Sequence, residues 1–230
     1  MPTIECVELC KYYHQGDSVI KALDHVTLAF EEGEFVCLSG PSGSGKTTLL
    51  NAIGGLDALD SGRLSLDGER VDLMSKSALA DLRLYKIGFV FQAYNLIPVL
   101  SARENVEFVM QVQGVAAHER RKRALEVLAE VGLEGMEERR PAQLSGGQQQ
   151  RVAVARAIVS HPKLVLADEP TANLDSVSLE RLMAHFRELN RVHGITFLMA
   201  THDERVMAWA GRRIRMEDGR IIGDTLQATS

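Results

Sequence analysis

The sequence predicts an α/β fold organised around a parallel sheet, and three observations carry that prediction. Apolar strand-like runs alternate with helical periodicity towards both ends of the chain. A glycine-rich loop at 40–45 separates a strand from a helix, and a second apolar run, 164–167, ends in two carboxylates, Asp168 and Glu169. The middle is helical instead, so the parallel core is expected to be interrupted by a helical insertion at about 93–160 within one domain, 1–230.

Taken in order, residues 3–38 read as β-rich. Short strands are expected at 4–9 and 26–30, and a third at 34–39 after the turn 31–33. A helix follows at 46–53, then a strand at 62–66 with its turn at 67–68, a helix over 74–84 and a compact strand at 87–91. Helical periodicity returns at 101–113, opened by the capping-box spacing Ser101 to Glu104, and at 118–131 and 147–160. The last third alternates again: strand 164–167, helix 176–193, strand 196–201, helix 203–210 and two short strands near 213–216 and 220–223. The basic run 118–123 (HERRKR) reads as a solvated helix face.

Bulk properties exclude several classes. The 230 residues are 45% hydrophobic and 25% charged, enough for a sizeable core. A net charge of −5 argues against a nucleic-acid-coating protein. No apolar run reaches the ~18–20 residues that span a bilayer, and the N-terminus lacks a signal-peptide pattern. The expectation is a chain in the cytosol or on the cytosolic face of a membrane. Cys6, Cys10 and Cys37 lie in apolar strand-like stretches without a CxxC, so they read as buried reduced thiols and no structural metal is expected.

The loop Gly40-Pro41-Ser42-Gly43-Ser44-Gly45-Lys46-Thr47, followed by Thr48, fits G-x-x-x-x-G-K-[ST] in its proper strand–helix context. Glycines let successive backbone N–H groups converge on phosphate oxygens, and the helix N-terminus adds a favourable dipole. Lys46 offers a mobile positive charge to the β- and γ-phosphates, and Thr47 a hydroxyl to Mg²⁺. ATP, GTP and kinase chemistry all remain open on this motif alone. The strand ending at Asp168 and Glu169 can lie beside the one feeding the loop; Asp168 would then reach Mg²⁺, and Glu169 would polarise the attacking water. The segment Leu144-Ser145-Gly146-Gly147-Gln148 reads locally as an S-x-x-Q capping box opening a helix, and such an N-terminus is also an anion site.

With LSGGQ set between the phosphate loop and the acidic pair, the chain resembles the ATP-binding-cassette (ABC) ATPases over essentially its whole length. The resemblance extends to Gln92 as the Q-loop residue, to 172–175 ending in Asp175 as the D-loop, and to His202 as the switch histidine. Tyr13 matches the aromatic that stacks on adenine, and Ala172 stands where many members have glycine. The fold this implies is a P-loop NTPase core of the ABC type, with an N-terminal antiparallel β subdomain and an α-helical subdomain carrying the signature. The implied activity is ATP hydrolysis with Glu169 as base, His202 at the γ-phosphate, and Gln92 beside Thr47 and Asp168 at Mg²⁺. The implied assembly is a head-to-tail pair in which 145–148 of one copy close over the ATP held by the other.

Within the family, Ile53-Gly54-Gly55-Leu56-Asp57, Phe89-Val90-Phe91-Gln92 and Glu104-Asn105-Val106 resemble the lipoprotein-release, macrolide-export and cell-division group. That likeness implies an integral-membrane permease partner, a position on the cytoplasmic side of the inner membrane, and export or extraction of a lipoprotein or small molecule. Mechanotransmission to wall enzymes without transport is the alternative. The stretch 99–108 with the loop before it is the expected docking groove for the permease. No long coiled coil and no second cassette are visible, which disfavours the chromosome-structural and ribosome-associated branches.

Overall fold

A computed structural model describes residues 3–16, 18–172 and 174–227. Two sheets form the framework. The first is wholly antiparallel, in the order β2-β1-β4-β5, from β1 (Ile4–Gln15), β2 (Ser18–Phe30), β4 (Ser61–Leu66) and β5 (Glu69–Arg70). The second has the order β10-β9-β3-β8-β7-β6, from β3 (Phe35–Ser39), β6 (Ile87–Val90), β7 (Leu164–Asp168), β8 (Thr196–Ala200), β9 (Arg212–Glu217) and β10 (Arg220–Leu226). Its five strands from β9 to β6 are parallel, and β10 joins β9 antiparallel.

The parallel strands are apolar on both faces, as a sheet covered on both sides requires. Along β3, Val36 and Leu38 enter one core while Phe35 and Cys37 enter the other; β8 repeats this with Leu198 and Ala200 against Phe197 and Met199. The first core fills the space between the two sheets and holds the apolar side of α1 (Lys46–Ile53), including Leu49 and Ile53. The second lies under α3 (Ala102–Val112), α4 (Ala117–Glu130), α5 (Gly146–Ile158) and α6 (Ser176–His193). There Phe186 packs on Phe197 with ring centroids 4.9 Å apart. Helix α2 (Lys76–Lys86) precedes β6, and the four-residue α7 (Glu204–Met207) follows β8.

The structure departs from the sequence expectation in three places. The strands expected at 4–9 and 26–30 extend into a long hairpin by backbone pairing as far as Gln15 and Ser18; 18–21 are all exposed, so no apolar alternation marks this part. The helix expected at 203–210 is only α7. The third departure concerns topology: the strand carrying Asp168 does not lie beside the strand feeding the phosphate loop, because β8 sits between β3 and β7. All three Cys are free and buried, as expected; burial raises the Cys6 and Cys37 thiols to about 12.

Candidate active site

Parallel strands deliver their C-terminal ends to one edge of a sheet, and ligands collect there. Here β3 runs into the loop 40–45, β7 ends at Asp168 and Glu169, and β8 is followed by Thr201 and His202. These segments surround one cavity of about 590 Å³. Every loop residue from Gly40 to Thr48 lines it, together with Gln92, Asp168, Glu169 and His202.

The loop is fixed by close backbone approach. Gly40 has φ 144 and Gly45 φ 99; a Cβ on either would collide with a carbonyl oxygen, that of Met216 in β9 or of Ala22 in β2. Lys46 is buried, and its Nζ donates to Gly40 O and Pro41 O at 2.8 Å each and to Ser44 Oγ at 3.3 Å. The ammonium is thereby held within the loop at the N-terminus of α1, a place where phosphate oxygens are natural acceptors.

Helix α1 crosses over β8 and β7, and this restores the contact that strand order would have denied. Thr47 Oγ1 donates to Asp168 Oδ2 at 2.8 Å. Burial raises the Asp168 carboxyl above its ordinary value, and the Glu169 charge adds to this; the Thr47 hydroxyl works against both. A partly desolvated carboxylate beside a hydroxyl, with the Gln92 amide on the same cavity, is a hard-oxygen donor set suited to Mg²⁺.

Glu169 has φ 47, an uncommon conformation for a non-glycine residue and one found where a side chain must be aimed. Its backbone N donates to Ala200 O at 2.9 Å. Both carboxylate oxygens are engaged: Thr201 Oγ1 donates to Oε2 at 3.0 Å, and His202 Nδ1 lies 2.7 Å from Oε1. The Glu169 side chain is only 15% exposed whereas that of His202 is 78% exposed, so the imidazole can reach a ligand while steadying the carboxylate.

Other expected site residues lie elsewhere on the chain. Ser145 caps α5 in a full capping box: Gln148 N donates to Ser145 Oγ at 3.3 Å, and Ser145 N donates to Gln148 Oε1 at 2.9 Å. None of Ser145, Gly146, Gly147 and Gln148 lines the phosphate cavity, and neither does Asp175, which caps α6 by accepting from Ser178 N at 2.9 Å. Asn173 of the expected D-loop lies outside the described residues. Tyr13 also stands outside the cavity lining; it is 40% exposed, with its hydroxyl donating to Asp57 Oδ2 at 3.0 Å.

Three residues to which the sequence assigned no role hold this site in shape. Thr201 anchors Glu169. Arg156 of the signature helix donates to Asn95 O at 2.5 Å and to Tyr94 O at 2.8 Å, gripping the segment after Gln92 where both residues have positive φ. Asn105, fully buried, accepts from Ile97 N at 2.8 Å and donates to the Ile97, Leu100 and Ser101 carbonyls, shaping the same connection. An Arg and an Asn inside amphipathic helices carry no mark of such duties in sequence.

The geometry has close parallels. The family described as ABC transporter matches residues 23–172, and a dimeric structure of the ATP-binding cassette MJ0796, in a post-hydrolysis state bound to ADP and Pi, superposes with a TM-score of 0.95. That structure is 42% identical and covers 99% of this chain and 100% of its own. The chain belongs to the ABC transporter family. As its ATPase cassette it is 47% identical over 220 residues to an uncharacterised ABC transporter ATP-binding protein of Thermotoga maritima, spanning 96% of this chain and 94% of that one. It is 44% identical over 225 residues, 98% of its length, to the macrolide export ATP-binding/permease protein MacB of Mannheimia succiniciproducens. The chain spans about a third (35%) of that relative's length. No helix among the described residues is long and apolar enough to cross a membrane.

Proposed function

We propose that two copies of this chain pair head to tail around two ATP molecules and that hydrolysis there drives a membrane-embedded permease from the cytoplasmic face. The observation that carries this reading is the separation of two anion-binding halves. Lys46, Thr47, Asp168, Glu169 and His202 share one cavity, while the capped N-terminus of α5 presents Ser145, Gly146 and Gly147 to a ligand that one copy does not bring to it. A second copy, turned about, supplies the missing half.

Mg²⁺ bound by Thr47, Asp168 and Gln92 would neutralise charge on the β- and γ-phosphate oxygens. The loop N–H groups and Lys46 hold the phosphates. Glu169, fixed by Thr201 and His202, takes a proton from water as its oxygen attacks the γ-phosphorus; the bond to the bridging oxygen breaks, leaving ADP and phosphate. Loss of phosphate removes what joins the two halves, so the pair reopens. Asp175 and Tyr13 are assigned to the copy-to-copy interface and to the adenine. The helical segment 93–160 acts as a subdomain that carries this motion to the permease, through Arg156 and the segment following Gln92.

The 44% identity to a macrolide-export protein supports an export or extraction role for the complex. Replacing Glu169 with Gln removes the base but keeps the ATP contacts. Size-exclusion chromatography of that variant with saturating ATP should show a stable dimer without turnover. A monomer that hydrolyses ATP normally would overturn the proposal. Purification of the full chain from membranes should bring a permease with it.

A further inference from the structure

A second polar cluster lies away from the nucleotide cavity, on the antiparallel sheet. Leu9 of β1 pairs with Val26 of β2 and Lys11 pairs with Leu23, so the single residue Cys10 stands opposite two, Asp24 and His25. This is a β-bulge, and His25 takes φ 58 to make it. Strand neighbours ordinarily face opposite sides; the bulge turns Asp24 and His25 to the same side as Cys10. Cys6 and Cys37 are buried within the two apolar cores, but Cys10 belongs to neither.

The polar atoms here are arranged around a gap. Asp24 is 4% exposed, and its Oδ2 takes the Arg220 guanidinium through Nε at 2.8 Å and Nη2 at 2.6 Å, with Lys21 Nζ at 3.5 Å. Its Oδ1 is buried and has no hydrogen-bond partner. That orphan oxygen faces His25 Nε2 at 3.8 Å. On the other side of the ring, His25 Nδ1 lies 2.7 Å from Glu8 Oε2, a contact that places a proton on Nδ1 and leaves Nε2 turned towards Asp24. The ligand atoms of Cys10, Asp24 and His25 all lie within 4.8 Å of one another. A buried carboxylate oxygen without a partner is costly, and a metal cation held between it, the thiol and the imidazole would relieve that cost.

We propose that Cys10 Sγ, Asp24 Oδ1 and His25 Nε2 bind a zinc-class divalent cation, with Glu8 as the supporting carboxylate behind the histidine. Sulfur, imidazole and carboxylate are the donors such an ion takes, and three protein ligands leave a fourth position for water. The carboxylate–histidine pairing is the usual outer support of a zinc ligand. Loading deprotonates the Cys10 thiol, and that proton leaves to solvent. The ion would clamp β1 to β2 at their bulge. Strand β2 continues from there into Ala22 and Ile20, which line the ATP cavity, so the clamp stiffens one wall of the nucleotide site. This inference stands independently of the proposed transport role.

The test is a Co²⁺ titration of the full chain after chelator treatment, under reducing, nucleotide-free conditions. The expected result is one equivalent bound with a thiolate-to-cobalt charge-transfer absorption, displaced by Zn²⁺. Cobalt on the oxygen donors of Asp168 and Thr47 gives no such absorption. Cys10→Ser should abolish the band. His25→Gln, at an exposed side chain, should weaken binding more than Glu8→Gln, whose outer supporting role predicts a loss of about 10–100-fold. Zn²⁺ should also raise the unfolding temperature of the parent chain but not that of His25→Gln. A chain that binds no cobalt through sulfur, or a His25→Gln variant of unchanged affinity, would show instead an imidazolium held between Glu8 and Asp24, and would overturn the proposal.

Discussion

Thr201→Val isolates how firmly Glu169, the proposed base, must be held. Valine matches threonine in shape, and Thr201 is fully buried, so the packing survives. The substitution removes the 3.0 Å hydrogen bond to Glu169 Oε2 and leaves Asp203 N without its 3.1 Å acceptor. A hydrogen bond to a charged group is worth about 1.5–3 kcal/mol, and loss of the neutral one costs about 1 kcal/mol in stability. If the carboxylate loses that much alignment in the transition state, kcat falls about 10- to 150-fold at 1.36 kcal/mol per decade. KM for ATP should hold, because Thr201 is not among the residues that line the cavity. Steady-state phosphate release at saturating ATP measures the fall, and thermal unfolding checks that the variant is folded. Thr201→Ser, which keeps the hydroxyl, should restore most of the rate. A folded Thr201→Val with kcat within about twofold of the parent would refute the view that this bond positions the base.

Three further predictions follow the same geometry. Lys46→Ala removes a charge-assisted phosphate contact and should weaken ATP binding by about 1.5–3 kcal/mol in a fluorescence titration, with turnover lost. Asp168→Asn should raise the unfolding midpoint at neutral pH while ending turnover. Burial lifts the folded-state pKa of Asp168 above the unfolded one, so its ionisation destabilises the fold fully above both values and not at all below both; the gain should vanish in acid. Arg156→Ala should free the Tyr94 and Asn95 carbonyls, leaving ATP affinity intact but increasing hydrogen exchange at 93–97, with ATPase rate lowered.

Where local chemistry dictates the backbone, the sequence was readable to the residue. Helix α1 starts at Lys46 because Gly45 before it takes the left-handed conformation that ends the loop, and α6 runs from Ser176 to His193 between the Asp175 cap and Gly194 in the left-handed region. The two-sided burial of β3, β7 and β8 was visible as continuous apolar runs. What stayed hidden depends on distant partners. The position of β8 between β3 and β7 is set by tertiary packing, and the outer hairpin pairs through residues too exposed to alternate. The roles proposed for Lys46, Thr47, Asp168 and Glu169 follow from residue type and spacing, whereas Thr201, Arg156 and Asn105 act through specific hydrogen bonds that no pattern marks.

Sharing of each site between two copies is the central claim, and complementation tests it most directly. One variant carries Lys46→Ala, which breaks the phosphate loop; the other carries Ser145→Arg, which blocks the signature. Each alone should be inactive, because both sites of its dimer are broken. A mixed dimer contains one site with both defects and one with neither, so mixing the two proteins should restore phosphate release well above the sum of the separate rates. A mixture that stays at that sum, with both variants folded and able to pair, would contradict the shared site.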